Sequence, residues 1–308
     1  MGYDFIGDIH GHADRLEALL KVLGYSVRGG AWRHPERIAV FVGDFIDRGP
    51  GQLRTLALVR AMLDVGAARA VMGNHELNAI AWATPDPLVK GRYLRPRHGE
   101  KGRANRRQHE AFLSEVGSGS RAHKAWVDWF MDLPLWIEEP GFRVVHACWS
   151  PEHVEAIRPH LAEGNRLTPA LLEASHRKGS SEFRAVKVLL KGPQIQVPPG
   201  HAFTDKDGCV RQKVRTRWWD LSASTYAEIH VGAPGAILPS LPVNSQLKVP
   251  EPDRPVFVGH YRFNPDWPLA PAAAKVACVD YSAGRGGPLA AYRFDGEPVL
   301  SANRFIVA

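Results

Sequence analysis

Tyr3-Asp4-Phe5-Ile6-Gly7-Asp8-Ile9-His10-Gly11 is the stretch on which the fold of this chain turns. A short apolar run ends in glycine, and two polar side chains follow, two positions apart. In extended chain such side chains point the same way, so Asp8 and His10 leave the strand end on one side. A carboxylate oxygen beside an imidazole suits a first-row divalent metal such as manganese, iron or zinc. Gly7 and Gly11 let the backbone turn tightly around such an ion. Taken alone, Asp-x-His fits an ordinary surface pair as well.

The same pattern recurs outward from this stretch. Residues 38–43 (Ile-Ala-Val-Phe-Val-Gly), 70–73, 142–145 and 256–259 are also short apolar runs rich in Val and Ile, and each reads as a buried strand. Leu16, Leu19, Leu20 and Leu23 recur at helical spacing and stop at Gly24, and Leu53, Leu56, Val59, Ala61 and Leu63 stop at Gly66. Strand–helix–strand alternation predicts an α/β fold with helices on the sheet faces. In such sheets ligands bind where loops leave the carboxyl ends of strands. Residues 275–282 and 289–294 read as a terminal hairpin joined by Gly284-Arg285-Gly286-Gly287. Two regions interrupt the pattern and are read as insertions within one catalytic domain spanning 1–308. Residues 84–120 are basic and loop-rich; residues 155–250 combine helix-like sequence over 168–191 with a strand pair around 201–219.

Two further motifs carry chemistry. Gly43-Asp44-Phe45-Ile46-Asp47-Arg48-Gly49 places Asp44 at the end of an apolar strand, where an unpaired buried carboxylate is costly. A metal, or two metals bridged by that carboxylate, settles its charge. Arg48 follows Asp47, and arginine grips phosphate with two donors; a surface Asp47–Arg48 ion pair is the plain alternative. Gly73-Asn74-His75-Glu76 offers a neutral amide oxygen to a metal and, next to it, an imidazole placed to donate a proton. Asn74 also suits a helix N-cap.

The ordered triplet Gly-Asp-x-His-Gly, Gly-Asp-x-x-Asp-Arg-Gly and Gly-Asn-His-Glu resembles the calcineurin-like metallophosphoesterases, and within them the phosphoprotein phosphatase branch. That branch includes Ser/Thr protein phosphatases and symmetrical diadenosine tetraphosphatases. Val144-Val145-His146 and Val258-Gly259-His260 match the two later histidine motifs, although Ala147 stands where the family usually has glycine. The tail Val279-Asp280-Tyr281-Ser282-Ala283-Gly284 resembles the closing strand, where Asp-Thr-Gly is more usual. The resemblance implies a central β-sandwich flanked by helices (the αββα fold) with an inserted subdomain. It implies two divalent ions, Mn²⁺ first and Fe, Zn or Mg as alternatives, held by Asp8, His10, Asp44, Asn74, His146 and His260. It further implies direct attack of a hydroxide held by both ions, Arg48 on the phosphoryl oxygens, and His75 as proton donor, oriented and kept cationic by Asp47. A second phosphate-binding arginine is expected before the last histidine; Arg184, Arg211 and Arg215 are candidates without an alignment to choose among them.

Composition narrows partners more than reaction. The 308 residues carry a formal net charge of +7, which attracts phosphate esters, nucleotides or nucleic acid. Cys148, Cys209 and Cys278 are dispersed and form no Cys-x-x-Cys pair, which fits a reducing compartment. The N-terminus enters strand-like sequence without a signal-peptide pattern, no apolar run is long enough to span a bilayer, and a cytoplasmic protein is expected. The basic stretch 90–107 reads as a solvated loop or as a grip for a polyphosphate chain or nucleic-acid backbone. Trp218 and Trp219 read as core aromatics before they read as base-stacking ones. The leading expectation is a phosphatase acting on phosphomonoesters in the manner of Ser/Thr protein phosphatases. Its alternatives are a symmetrical diadenosine polyphosphate hydrolase, a nuclease, and a catalytically dead nucleic-acid-binding module.

Overall fold

Gly2–Ile6 forms β1, and its apolar end is fully buried because it is flanked on both sides. The computed structural model describes residues 1–204, 210–231, 238–243 and 249–308. After β1 come α1 (Ala13–Val22), β2 (Ser26–Arg28), β3 (Ala31–Arg33), β4 (Arg37–Phe41), α2 (Gln52–Asp64), β5 (Ala68–Ala70) and α3 (Asn74–Ala83). The first inserted region holds α4 (Gly99–Gln108) and α5 (Glu110–Val116), and α6 (Arg121–Met131) follows it. Next are β6 (Trp136–Glu138), β7 (Arg143–Val145), α7 (Pro151–Ile157), α8 (Pro169–Ala174) and α9 (Ser181–Lys191). Then follow β8 (Gln194–Gln196), β9 (Phe203–Thr204), β10 (Val210–Arg211), β11 (Lys213–Thr216), α10 (Tyr226–Ile229) and β12 (His230–Val231). The chain closes with β13 (Val256–Val258), β14 (Val276–Cys278), β15 (Ala290–Phe294) and β16 (Phe305–Val307).

Two sheets form the centre. The first has the order β16-β15-β1-β4-β5, with β1, β4 and β5 parallel; the second has the order β14-β13-β7-β6, with β14, β13 and β7 parallel. They meet through aromatic side chains: Phe5 of β1 and Phe257 of β13 stack with ring centroids 3.5 Å apart, and Phe142 and Phe294 pack edge-on beside them. This is the expected mixed α/β sandwich, with helices outside. The motif loops leave both sheets at the same end.

Two expectations need correction. Residues 275–282 and 289–294 do not pair with each other: β14 lies parallel to β13 in the second sheet, whereas β15 lies antiparallel to β1 in the first. The hairpin at the C-terminus is β15 with β16. The alternating pattern marks both strands but carries no information about which sheet each joins. The second correction concerns residues 84–120, which hold α4 and α5 over 99–116. Arginine is a good helix former, and its density disguised a helix as a polar loop. Lys90, Arg92, Lys101, Arg103, Arg106 and Arg107 are exposed, as a solvated stretch requires, but Arg95 and Arg97 turn inward. Arg97 Nε donates to the Trp82 carbonyl at 2.7 Å, and its guanidinium lies over the Tyr93 ring.

The second inserted region contains a small antiparallel sheet, β12-β11-β8, and its Ile195 and Val214 form an apolar cluster with Val197 and Leu238. The strand pair expected around 201–219 is β9 with β10, while β11 pairs with β8 and β12. Trp218 and Trp219 are buried, and Trp218 Nε1 donates to the Ala147 carbonyl at 3.1 Å, directly behind His146. Cys148 and Cys278 are buried free thiols; Cys209 lies outside the described residues. No described helix is long and apolar enough to cross a membrane.

Candidate dinuclear metal centre

Each motif residue stands at the carboxyl end of a strand. Asp8 and His10 follow β1, Asp44 follows β4, Asn74 and His75 open α3 after β5, His146 follows β7, and His260 follows β13. The loops are locked to one another by backbone bonds: His10 N–H donates to the Asp44 carbonyl at 2.9 Å and Gly11 N–H to the Phe45 carbonyl at 2.7 Å. His10, Asp44, Asp47, Arg48 and His260 all adopt positive φ, between 49° and 74°. Non-glycine residues hold that conformation only where their surroundings impose it.

Glu76 is the main clamp, a role the sequence did not disclose. Its buried carboxylate accepts from Asp44 N–H at 2.9 Å, Phe45 N–H at 2.8 Å and Gly73 N–H at 3.0 Å. It thereby fastens the second motif loop to the third. Asn74 makes no cap hydrogen bond; Gly73 takes the N-cap position of α3, and Asp44 Oδ1 accepts from His75 N–H at 2.9 Å. The amide of Asn74 is therefore left for another partner.

The imidazoles are oriented from behind. His10 Nδ1 donates to the Ile46 carbonyl at 2.8 Å and His146 Nδ1 to the Val42 carbonyl at 2.7 Å. Each Nε2 then faces Asp44, at 3.7 Å for His10 and 3.4 Å for His146. Backbone acceptors on the far nitrogen are the usual way a protein fixes a ligating tautomer. His10, Asp44 and His75 bring ligating atoms within 4.8 Å of one another, and so do Asp44, His146 and His260. Asp44 belongs to both groups. Asp8 stands beside them, with both carboxylate oxygens accepting from His260 N–H at 3.1 and 3.3 Å.

The residues present fit a pair of divalent cations. Among the described residues, Asn74 Oδ1, His146 Nε2 and His260 Nε2 are buried without a hydrogen-bond partner. Buried polar atoms in that state are rare and call for a missing partner. Burial, Asp280 and Asp44 all push the Asp8 carboxyl well above its ordinary range. Burial also raises Asp44, but His146, His75 and His10 outweigh it and hold that carboxyl well below. Burial pushes His10 and His260 down and keeps them neutral, the form that binds metal. Mixed carboxylate, amide and imidazole donors suit a first-row divalent ion.

His75 is held differently from the other imidazoles: its Nδ1 is hydrogen-bonded to Asp47 Oδ2. Burial raises Asp47, yet His109 and His75 more than offset it and keep the carboxyl ionised. Burial lowers His75 by more than Asp44 and Asp47 raise it, so the expectation that Asp47 keeps this imidazole cationic meets a larger opposing effect. Arg48 is exposed and packs over Gly284 next to His10, at the mouth of the site. Of the arginines considered for a second phosphate contact, Arg215 is the one whose charge acts on His260. His109, Arg95 and Lys191 also border the site; nothing in their local sequence distinguishes them from surface residues.

A family profile described as calcineurin-like phosphoesterase matches residues 1–167. Among curated proteins, the asymmetrical bis(5'-nucleosyl)-tetraphosphatase PrpE of Bacillus subtilis is 45% identical over 76 residues, which is 24% of this chain and 31% of that protein. The protein of the same name from Oceanobacillus iheyensis is 32% identical over 157 residues, 50% of this chain and 58% of that one. The matches thus span between a third and six-tenths of those relatives. Among solved structures, a cold-active protein-tyrosine phosphatase of Shewanella aligns with a TM-score of 0.49 at 19% identity, covering 99% of this chain and 80% of that one. A protein serine/threonine phosphatase of Saccharomyces cerevisiae aligns with a TM-score of 0.48 at 13% identity, covering 100% and 79%. With its ordered motifs and a family match over more than half its length, this chain belongs to the calcineurin-like phosphoesterases.

Proposed function

We propose that this chain cleaves phosphate esters and anhydrides by direct in-line attack of water, with His75 as the proton donor to the leaving oxygen. What supports this most is that Asp44 gathers His10, His146 and His260, with Asp8 and Asn74 beside them, and that Asn74 Oδ1, His146 Nε2 and His260 Nε2 are buried without partners. These six residues would hold two divalent ions, with Mn²⁺ the first to test. When bound, such ions neutralise phosphoryl oxygens and lower the pKa of water.

The chain's own groups supply the rest. Arg48 and Arg215 contribute positive charge to the equatorial oxygens. As the bond from phosphorus to the leaving oxygen breaks, the doubly protonated form of His75, which burial disfavours and Asp44 and Asp47 favour, passes its Nε2 proton to that oxygen. Its Nδ1 proton stays with Asp47, so the ring remains aimed. His75 is assigned this part because His10 and His146 are backed by backbone carbonyls, whereas His75 is backed by a carboxylate. A reducing compartment, the cytoplasm first, is part of this proposal, and the three dispersed cysteines support it.

The test compares diadenosine tetraphosphate with a phosphothreonine peptide, each with Mn²⁺ and with Asp44→Asn as control. ADP alone as product marks symmetrical cleavage, and ATP with AMP marks asymmetrical cleavage. Faster release from the peptide assigns the chain to the protein phosphatases. No metal-dependent turnover above the variant would remove the proposal.

A further inference from the structure

Arg95 and Lys191 come from different inserted regions, yet both donate to a single neutral acceptor. Arg95 Nη1 lies 2.9 Å and Lys191 Nζ 3.2 Å from Asn78 Oδ1. Arg95 Nη2 donates to Gln108 Oε1 at 2.7 Å, and its Nε is buried without a partner. No carboxylate of the described residues lies in ion-pair contact with either cation: Asp44 and Asp47 act on Lys191 and Arg95 only from a distance, while Lys187 and the half-buried Arg215 add like charge around Lys191. The half-buried Arg37 and Arg293, by contrast, both hold Asp4. Two cations drawn to one amide oxygen, in a partly dry setting, are a site short of an anion.

Its position says which anion. Asn78 is buried one helical turn along α3 from Asn74, a rise of about 6 Å. Gln108, which holds Arg95, also reaches His75 Nδ1 at 3.4 Å. The pair therefore flanks the metal centre on the side of His75, where the proposed reaction releases its leaving group. We propose that Arg95 and Lys191 form a second phosphate subsite, binding the phosphate next to the one being cleaved. The substrate class is then a phosphoanhydride chain, as in nucleoside or dinucleoside polyphosphates, with a phosphate as leaving group. This rests on the reading of His75 as the leaving-group side; the arrangement of cations does not.

The test is calorimetric titration of the Mn²⁺-loaded protein, metal in excess, with methylenediphosphonate and with methylphosphonate. The wild type is expected to bind the two-phosphate probe at least about 10-fold more tightly. Lys191→Gln should bring that ratio toward one. Asn78→Asp, which installs a carboxylate where the anion is missing, should do the same even if Arg95→Met fails to fold. An unchanged ratio in folded Lys191→Gln and Asn78→Asp proteins overturns the subsite, whatever the hydrolysis assays return. Absence of all phosphoester turnover by the wild type overturns the catalytic proposal instead, and leaves the binding ratio to decide the subsite.

Discussion

His109 Nδ1 lies 2.9 Å from Asp47 Oδ2, the same oxygen that His75 Nδ1 faces. Both rings are buried, so the carboxylate holds two imidazoles out of water. If His75 delivers the leaving-group proton, Asp47→Asn should lower turnover by about 10²–10⁴-fold on alkyl phosphates. The loss should shrink on nitrophenyl phosphate, whose leaving oxygen needs no proton. His109→Phe should give a smaller loss ranked the same way across leaving groups. Equal losses across a leaving-group series would contradict the assignment.

Glu76 predicts a structural defect before a chemical one. Glu76→Gln replaces one of its carboxylate oxygens with an amide that points donors at backbone N–H groups. Each buried amide left without an acceptor costs about 1–3 kcal/mol. Urea unfolding should report a loss of that order. A change within about 0.5 kcal/mol would match an ordinary surface position and rule out the clamp.

Gly259 predicts a metal-binding defect. A Cβ at this position would overlap Asp8 Oδ1 and crowd Val42. Gly259→Ala should therefore push Asp8 aside, and metal content per chain, read by elemental analysis, should fall. Gly141→Ala, where an added Cβ meets nothing within 4 Å, serves as the matched control. Full metal occupancy in Gly259→Ala would place Asp8 outside the ligand set.

Lys191 predicts a pH dependence of stability. Burial, aided by Arg95, Lys187 and Arg215 and opposed by Asp44, pushes its ammonium down to about 7. In the unfolded chain a lysine titrates near about 10.4. Between those values the unfolded state binds more protons, so stability rises with pH across that window and falls as pH drops through it. Lys191→Met removes this contribution. Urea unfolding of both proteins at pH 7, 8 and 9 should show the variant's advantage shrinking as pH rises. A difference independent of pH would mean that Lys191 stays charged in the fold.

Much of the site was legible in the chain because its first half is local. Asp8, His10, Asp44, Asn74 and His75 each sit just past a short apolar strand, and the motif glycines mark where the backbone must turn. Strand ends of a parallel sheet open on one side, so the order of these motifs already implied a shared pocket. The resemblance that His146 and His260 carry placed them at strand ends too. What brings them to Asp44 is the parallel pairing of β13 with β7, Phe257 opposite Val144, in a sheet packed on the first through Phe5 and Phe257. Such partners are chosen by long-range packing, which local periodicity does not encode; for the same reason residues 275–294 read as one hairpin but belong to two sheets. The inserted regions show the limit most clearly. Arg95, His109 and Lys191 lie in polar or ordinary helical sequence, and their roles arise where α3 presents Asn78, and where Asp47 meets the end of α4. Thus the sequence alone determined the candidate ligand types and their strand-end positions through local pattern, whereas tertiary packing alone decided which distant charges share the pocket, because burial and neighbouring charge are properties of the folded whole.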